Sequence, residues 1–415
     1  MDKRLKSVDR DALRNTVMLY ILTAAKILFP LLTLPFLTRV LSIECYGVLA
    51  YVKSVVVYAQ IIVDFGFLLS SVKAIVRAGD KREVGGIVGD TVLAKILLGF
   101  VAFGLILILG ATVPSLQGYR SLLLLSFLPA FLSAFLLDYF FRGIERMQVV
   151  SLLYVLMKGV STLLTILLVR SDADLLLIPL LDILSSALAI SIAWIIYVKM
   201  GYGIRFGGLR SALRRIKESC LYFTNGVASS AFGAMNTAVL GFFIADFEQL
   251  AFWSVSMQLV GAIQIMYTPI SQGIYPYMIK TKSLKAIKGL LFLGLPCVVC
   301  AALFAGAASP TLLGVIGGEE YREAFPIFCS LLPILVLSFP VAILAWPCLG
   351  AIDRVKEINI ATLVGALIQI VGLALLLMLG RFTVLGVAGV RNLSELGMCS
   401  ALVFFVMKYR AHFKR

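Results

Sequence analysis

A chain of 415 residues that is 61% hydrophobic and 14% charged, with a mean hydropathy of +1.01, cannot cover its apolar surface as a soluble fold; soluble domains run about half apolar and about a quarter charged. Its solvent is lipid, and its apolar runs are continuous and near bilayer length, which excludes the alternating strands of a membrane β-barrel. The net charge of +15 reads as a topology signal with some attraction to anionic lipid, not as a nucleic-acid footprint, because no basic domain stands apart from the apolar runs.

The amino-terminal segment is charged (Lys3, Arg4, Lys6, Asp9, Arg10, Asp11, Arg14) and is followed by a run long enough to span a bilayer, with no small-residue cleavage pattern. It is expected to be a cytoplasmic leader to a first helix and not a cleavable signal. Spans are expected at roughly 15–40, 46–70, 88–110, 121–141, 148–169 and 174–198, then at roughly 220–242, 249–275, 289–309, 324–349, 358–379 and 384–407. The fold class is therefore all-α integral membrane, with about twelve helices. A glycine-rich, basic loop near 199–219 divides the chain into two six-helix bundles, residues 1–205 and 206–415. With the amino terminus taken as cytoplasmic, 27 of the 37 Lys and Arg residues fall in cytoplasmic segments and five in outer loops, so both termini are expected inside. YGVLAYVKSVVVYAQI from Tyr46 and EQLAFWSVSMQLVGAIQI from Glu248 are weakly alike. Each half holds an even number of helices, so such repeats would be parallel.

Ionisable residues inside spans are costly and face a cavity or a partner. The first half has Lys26, Lys53, Asp64, Lys95, Asp138, Lys158 and Asp182, and the second has only Arg391 and Glu395. Lys26 and Lys158 lie deep; Lys53 and Asp182 lie toward the outer side, and Asp64, Lys95 and Asp138 toward the cytoplasm. Lys53 and Asp64 share a helix face about 16 Å apart, too far to pair but able to line one groove. Lysines on four helices make a cationic cavity for an anionic head group, since Lys supplies phosphate with point charges. The alternative is that they snorkel or pair with the aspartates. Arg391 and Glu395, one turn apart, suit a local ion pair. Pro30 and Pro35, Pro269 and Pro276, and Pro333, Pro340 and Pro347 free backbone carbonyls and permit bends. The seven cysteines sit mostly in apolar runs, and Cys297-x-x-Cys300 lies mid-span with no second pair, so a metal site is not expected. The only histidine is His412, which excludes a Ser-His-Asp triad.

The stretch PLLTLPFLTRVLSIECYGVLAYVKSVVVYAQIIVDFGFLLSS from Pro30 to Ser71 resembles the start of Wzx-type O-antigen flippases. These form part of the polysaccharide-transporter branch of the multidrug/oligosaccharidyl-lipid/polysaccharide exporter superfamily. The matching features are Leu34-Pro35, Thr38-Arg39, Leu41, Tyr46-Gly47 and Phe65-Gly66-Phe67. DYFFRGIERMQ at Asp138–Gln148, AVLGFF near Leu240 and GEEYREAFPIF near Glu319 also resemble family segments. The resemblance implies two six-helix lobes in a V around a central cavity, and a flippase for undecaprenyl-pyrophosphate-linked oligosaccharide in the bacterial inner membrane. Its partners would be that lipid, bulk membrane lipid and the O-antigen polymerase machinery. It also implies coupling to a proton or sodium gradient with no bound cofactor. Cationic cavity residues for the pyrophosphate would be Lys26, Lys53, Lys95 and Lys158, with Arg39. Asp64, Asp138, Asp182, Arg391 and Glu395 would be coupling groups or charge partners.

A drug/cation antiporter of the same superfamily is the first alternative, although a lysine-rich cavity repels cations. A membrane polymerase or transferase is the second. The outer loops are short for a polymerase, the D-x-D at Asp172 and Asp174 lies in an outer loop, and no GxxxxGK[ST] is present.

Overall fold

The computed structural model describes the backbone of residues 2–244 and 246–413, and their side chains except at 2–16, 19, 221 and 224–232. The described residues are helical throughout, with short turns and no strand. In a bilayer this is forced, since each backbone N–H and C=O must be satisfied within its own segment. Eleven stretches among the described residues are long and apolar enough to cross a membrane. The expected seventh span, near 220–242, falls in one long helix. Its side chains at 221 and 224–232 lie outside those described, and its described apolar part is Gly233–Phe243.

The chain forms two compact units, Met1–Ala238 and Val239–Arg415. Unit 1 contains α1 (Asp2–Val40), α2 (Ile43–Asp64), α3 (Phe67–Arg77), α4 (Lys81–Thr112), α5 (Pro114–Gln117), α6 (Arg120–Leu132), α7 (Asp138–Gly143), α8 (Met147–Leu168) and α9 (Leu177–Lys199). It ends with most of α10 (Leu209–Phe243). Helix α8 packs between α1 and α9, α2 packs on α4 and α6, and α3 packs on α7. Phe140, Phe141, Tyr139 and Tyr197 are fully buried at one end of this unit.

Two breaks in unit 1 position its buried charges. The second span is interrupted where Phe65 (φ 36°) and Gly66 (φ 75°) turn left-handed, leaving Asp64 as the last residue of α2. A Cβ on Gly66 would lie 2.8 Å from the backbone of Tyr222 and Phe223, and the Phe65 ring stacks on Phe223 at 4.3 Å. The fourth span is interrupted after α6 by a 3-10 turn at Ser133–Phe135, which leaves the Ser133 carbonyl outside the α-helical ladder.

The base of α10 belongs to unit 1. The Ser70 and Ser219 hydroxyls meet at 2.6 Å, and Ala212 packs against Phe67 and Ala94. The division therefore lies at Ala238/Val239, inside a helix, and not at the glycine-rich loop at 205/206 where composition places it. That loop runs along α4: the Arg205 N–H donates to the Gly85 carbonyl at 3.2 Å and the Gly207 N–H to Asp90 at 2.8 Å. A Cβ on Gly85 or Gly89 would overlap the Gly203 or Arg205 carbonyl. Composition signals a flexible linker, whereas hydrogen bonding makes it a fixed strap.

Unit 2 contains α11 (Phe247–Ile265), α12 (Tyr267–Thr281), α13 (Leu284–Ala307), α14 (Ser309–Gly317), α15 (Phe325–Ile343), α16 (Val355–Met378) and α17 (Val384–Lys408). Helix α15 is central, packing on α11, α13 and α17. Pro333 and Pro340 lie within α15, and Pro347 lies in a π-turn at Leu344–Leu349 that follows it. The eighth expected span divides at Met266 into α11 and α12. Helices α16 and α17 approach closely where the Ser394 hydroxyl donates to the Gly365 carbonyl at 2.8 Å, a small-residue contact that suits helix packing in lipid.

Gly66→Ala should lower the detergent melting temperature, since it adds about 1 kcal/mol of left-handed strain to a backbone overlap. Gly86→Ala, where a Cβ meets open space, should not. Equal melting of both variants would show that the α2–α3 break relaxes without cost.

Candidate functional site

The intramembrane charges of unit 1 fall into three groups. The first spans α2, α8 and α9. Lys158 Nζ lies 3.5 Å from Asp182 Oδ1, and the Ser161 hydroxyl donates to the same oxygen at 2.6 Å. Lys53 on α2 sits in the field of both Asp182 and Lys158. Two ammonium groups thus face one carboxylate. Lys53 is exposed, yet protein surrounds it densely, as for a group lining an internal opening. The Lys158 side chain is 42% exposed. Along the helices, Lys158 and Lys53 lie about 15 Å from the ends of α8 and α2, near mid-span.

The second group lies about one turn further along α8. Lys26 Nζ sits 5.7 Å from the centre of the Tyr154 ring, a cation–π contact. Its nearest charges are Arg142 and Asp138. Tyr154, Lys158 and Ser161 recur at helical spacing on one face of α8, so one helix presents both groups. Asp138, at the start of α7, accepts from the Tyr139 N–H at 2.8 Å.

The third group is a buried network at the two breaks. Lys95 on α4 is 3% exposed. It donates to Asp64 Oδ1 at 3.0 Å and to the Ser133 carbonyl at 3.4 Å, and lies 5.7 Å from the centre of the Tyr139 ring. Gln60 Nε2 donates to Asp64 Oδ2 at 2.7 Å and to the Ser133 hydroxyl at 2.8 Å. Lys95 is therefore fully engaged by its own network.

Lys53 and Lys158 are thus brought together around Asp182, Lys26 lies in the field of Arg142 and Asp138, and Lys95, paired with Asp64, also lies in the field of Asp138. Lys53 and Asp64, which share a helix face, serve different groups. Arg39 is exposed in the last turn of α1, about 20 Å along the axis from Lys26. In unit 2, Arg391 and Glu395 form a 2.7 Å ion pair on α17 with little exposure. An apolar groove of about 1070 Å³ runs between α13, α15 and α17, lined by residues including Leu303, Leu332, Val336 and Leu396, with no charged residue among them. Sequence reasoning missed Gln60, Ser133, Tyr154 and Ser161. Three carried a usable signal, being polar or aromatic at helical spacing from a buried charge: Gln60 four before Asp64, and Tyr154 and Ser161 four before and three after Lys158. Among the described residues no group of His, Cys, Asp and Glu is arranged to hold a metal.

The Lys95–Asp64 pair is lopsided, since the Lys95 side chain is 4% exposed and the Asp64 side chain 47%. Asp64→Ala leaves a buried ammonium with less compensation and should cost roughly 3 kcal/mol. Lys95→Met removes the buried charge and leaves an accessible carboxylate held by Gln60, so it should be nearly neutral. Detergent melting curves of both variants check this; equal losses would contradict it.

Residues 12–282 match the family model described as "Polysaccharide biosynthesis protein". The chain is 28% identical over 321 residues to a candidate O-antigen transporter of Shigella dysenteriae, covering 74% of this chain and 78% of that one. It is 26% identical over 303 residues to a candidate O-antigen transporter of Escherichia coli K12, covering 72% of each. Among solved structures, an inward-facing MATE-family multidrug resistance transporter of the MOP superfamily superposes with a TM-score of 0.69 at 15% identity, over 96% of this chain and 98% of that one. The lipid II flippase MurJ, in an inward closed conformation, gives a TM-score of 0.65 at 13% identity, over 95% and 87%. At such identities the structural likeness establishes the fold, that of MOP-superfamily membrane transporters. With eleven helices long and apolar enough to cross a membrane among the described residues, the chain is a multi-pass membrane protein, and, with the family model matched over more than half its length, it belongs to the polysaccharide biosynthesis protein family.

Proposed function

We propose that this protein is a flippase for lipid-linked O-antigen. It would carry undecaprenyl-pyrophosphate-linked oligosaccharide units from the cytoplasmic to the periplasmic leaflet of the bacterial inner membrane by alternating access. The observation that carries this reading is the pair of lysines, Lys53 and Lys158, sharing one carboxylate, Asp182. A surplus ammonium deep in a span is costly to keep, and an anionic ligand removes the cost. A pyrophosphate supplies oxygens that a compact ammonium on a flexible stem can follow as the ligand moves. A cationic drug would be repelled by the same surplus, which disfavours the antiporter reading.

Lys26 on α1, against Tyr154 one turn from Lys158 along α8, would extend the head-group site, and Arg39 would meet the head group near the outer end of α1. Lys95 would act indirectly, by holding Asp64. Asp64 and Asp138 are the candidates for coupling to a proton or sodium gradient, because Asp64 is accessible and its charge is balanced by Lys95. The Arg391–Glu395 pair would be structural. In this reading both termini are cytoplasmic, and the O-antigen polymerase machinery receives the product. The fold shared with a lipid II flippase and the relatives described as O-antigen transporters support it.

Two measurements test the proposal. Deleting the gene should abolish long surface O-antigen while undecaprenyl-linked units accumulate inside; unchanged surface glycan would sink the reading. Lys53→Ala/Lys158→Ala at normal protein abundance should reduce export at least about tenfold, the equivalent of about 1.4 kcal/mol. Full export by that variant would leave the two lysines a structural role only.

A further inference from the structure

The segment between α9 and α10, with the first turns of α10, follows the membrane-crossing stretch that ends at Lys199 and precedes the apolar part of α10 described from Gly233. It exposes four large apolar side chains: Ile204 at 42%, Phe206 at 64%, Leu209 at 58% and Leu213 at 53%. The same stretch carries Arg205, Arg210, Arg214, Arg215 and Lys217 against the single acid Glu218. Glu218 pairs with Arg214 at 3.0 Å and Arg215 at 3.3 Å. Arg210 and Lys217 are exposed, with no acidic partner among the described residues.

These side chains are presented by a fixed backbone. Lys81 Nζ donates to the Met200 carbonyl at 2.8 Å, the Arg205 N–H bonds Gly85, and buried Asp90 accepts from both the Gly207 N–H and the Ser211 hydroxyl. The strap cannot fold its apolar side chains inward without breaking these bonds. On α10, Leu209 and Leu213 form one stripe, while Lys217, Arg210 and Arg214 adjoin Leu213 within about 100° of arc. An apolar stripe beside a basic one matches a bilayer interface, where the first enters the acyl layer and the second reaches head-group phosphates.

We propose that residues 204–217 form a site for anionic phospholipid of the adjoining leaflet. Phe206, Leu209 and Leu213 enter the acyl layer, and Arg210, Arg214 and Lys217 bind the head-group phosphate. Charge complementarity selects this occupant, since a zwitterionic lipid offers the same acyl chains without net charge. The site is independent of what the protein transports.

The test uses the full-length protein in phosphatidylcholine vesicles with a Phe206→Trp reporter, subtracting the quenching of the parent's own tryptophans. Brominated phosphatidylglycerol should quench the reporter at least about threefold more strongly than brominated phosphatidylcholine at equal mole fraction. Arg210→Gln/Arg214→Gln/Lys217→Gln should erase that preference while leaving the residual quenching. Equal quenching by both lipids would mean unselective bilayer contact and would overturn the proposal. So would absence of quenching, which means that the segment faces water or another protein. Leu213→Trp serves as a second reporter at an equally exposed position.

Discussion

An ammonium group within a bilayer costs several kcal/mol unless water or a partner meets it, and unit 1 holds four of them within its spans. How each is met organises the unit. Lys95 is met by Asp64 and by the Ser133 carbonyl of the 3-10 turn after α6. Lys158 is met by a carboxylate that it shares with Lys53, and Lys26 by the face of Tyr154. The helix breaks serve the same end. Without the left-handed turn at Phe65 and Gly66, α2 would continue past Asp64; without the 3-10 turn at Ser133, its carbonyl would have no place in the lysine's coordination.

Unit 2 is held together differently. Among its described residues the intramembrane charge is confined to one pair a turn apart on α17, and the core is built on large apolar side chains such as Trp253, Tyr267, Phe328 and Phe339. A π-turn inserts where Pro347 lacks an N–H, and widening the turn accommodates the ring. The groove between α13, α15 and α17 carries no charge at all. The two units share a helical plan while keeping separate chemistries, one polar inside and one apolar.

The large features were legible in the sequence, because hydropathy and charge are the variables that a bilayer selects on. Eleven of the expected spans correspond to apolar helices, and the crowding of charge into the first half was visible by position alone. Pairings were less legible. Lys53 and Asp64 share a helical face, and helical geometry alone suggested a common groove. Tertiary packing instead sends one toward α8 and α9 and the other toward α4. Depth placed Lys95 toward the cytoplasm and Lys158 near mid-span, yet Lys95 is the more buried of the two, held by a pairing with Asp64 and a contact with the 3-10 turn at Ser133. No local pattern announces that turn; Ser133 is an ordinary serine until its carbonyl is used. The strap was misread for a related reason. Glycines at 201, 203, 207 and 208 look like linker composition, but Gly85 and Gly89 on α4, lacking side chains, let the carbonyls of Gly203 and Arg205 come into backbone contact. Small residues on both sides of a contact indicate proximity, and a single sequence does not reveal which glycines face one another.

The attachment of α10 to unit 1 bears on how the chain could be divided. Split proteins and domain exchanges are usually cut in exposed, glycine-rich connections, and the 201–208 segment would be the obvious choice. A cut there would leave the amino-terminal half of α10 on the second fragment, stripped of Asp90, Ser70 and the Phe65 ring, which are its partners in the first. The exposed stretch would be a polar and aromatic helix base with no fold of its own. The severable boundary lies further on, past the residues that α3 and α4 hold. The topological midpoint of the sequence is therefore not its mechanical one: the first six spans and most of α10 form the first body.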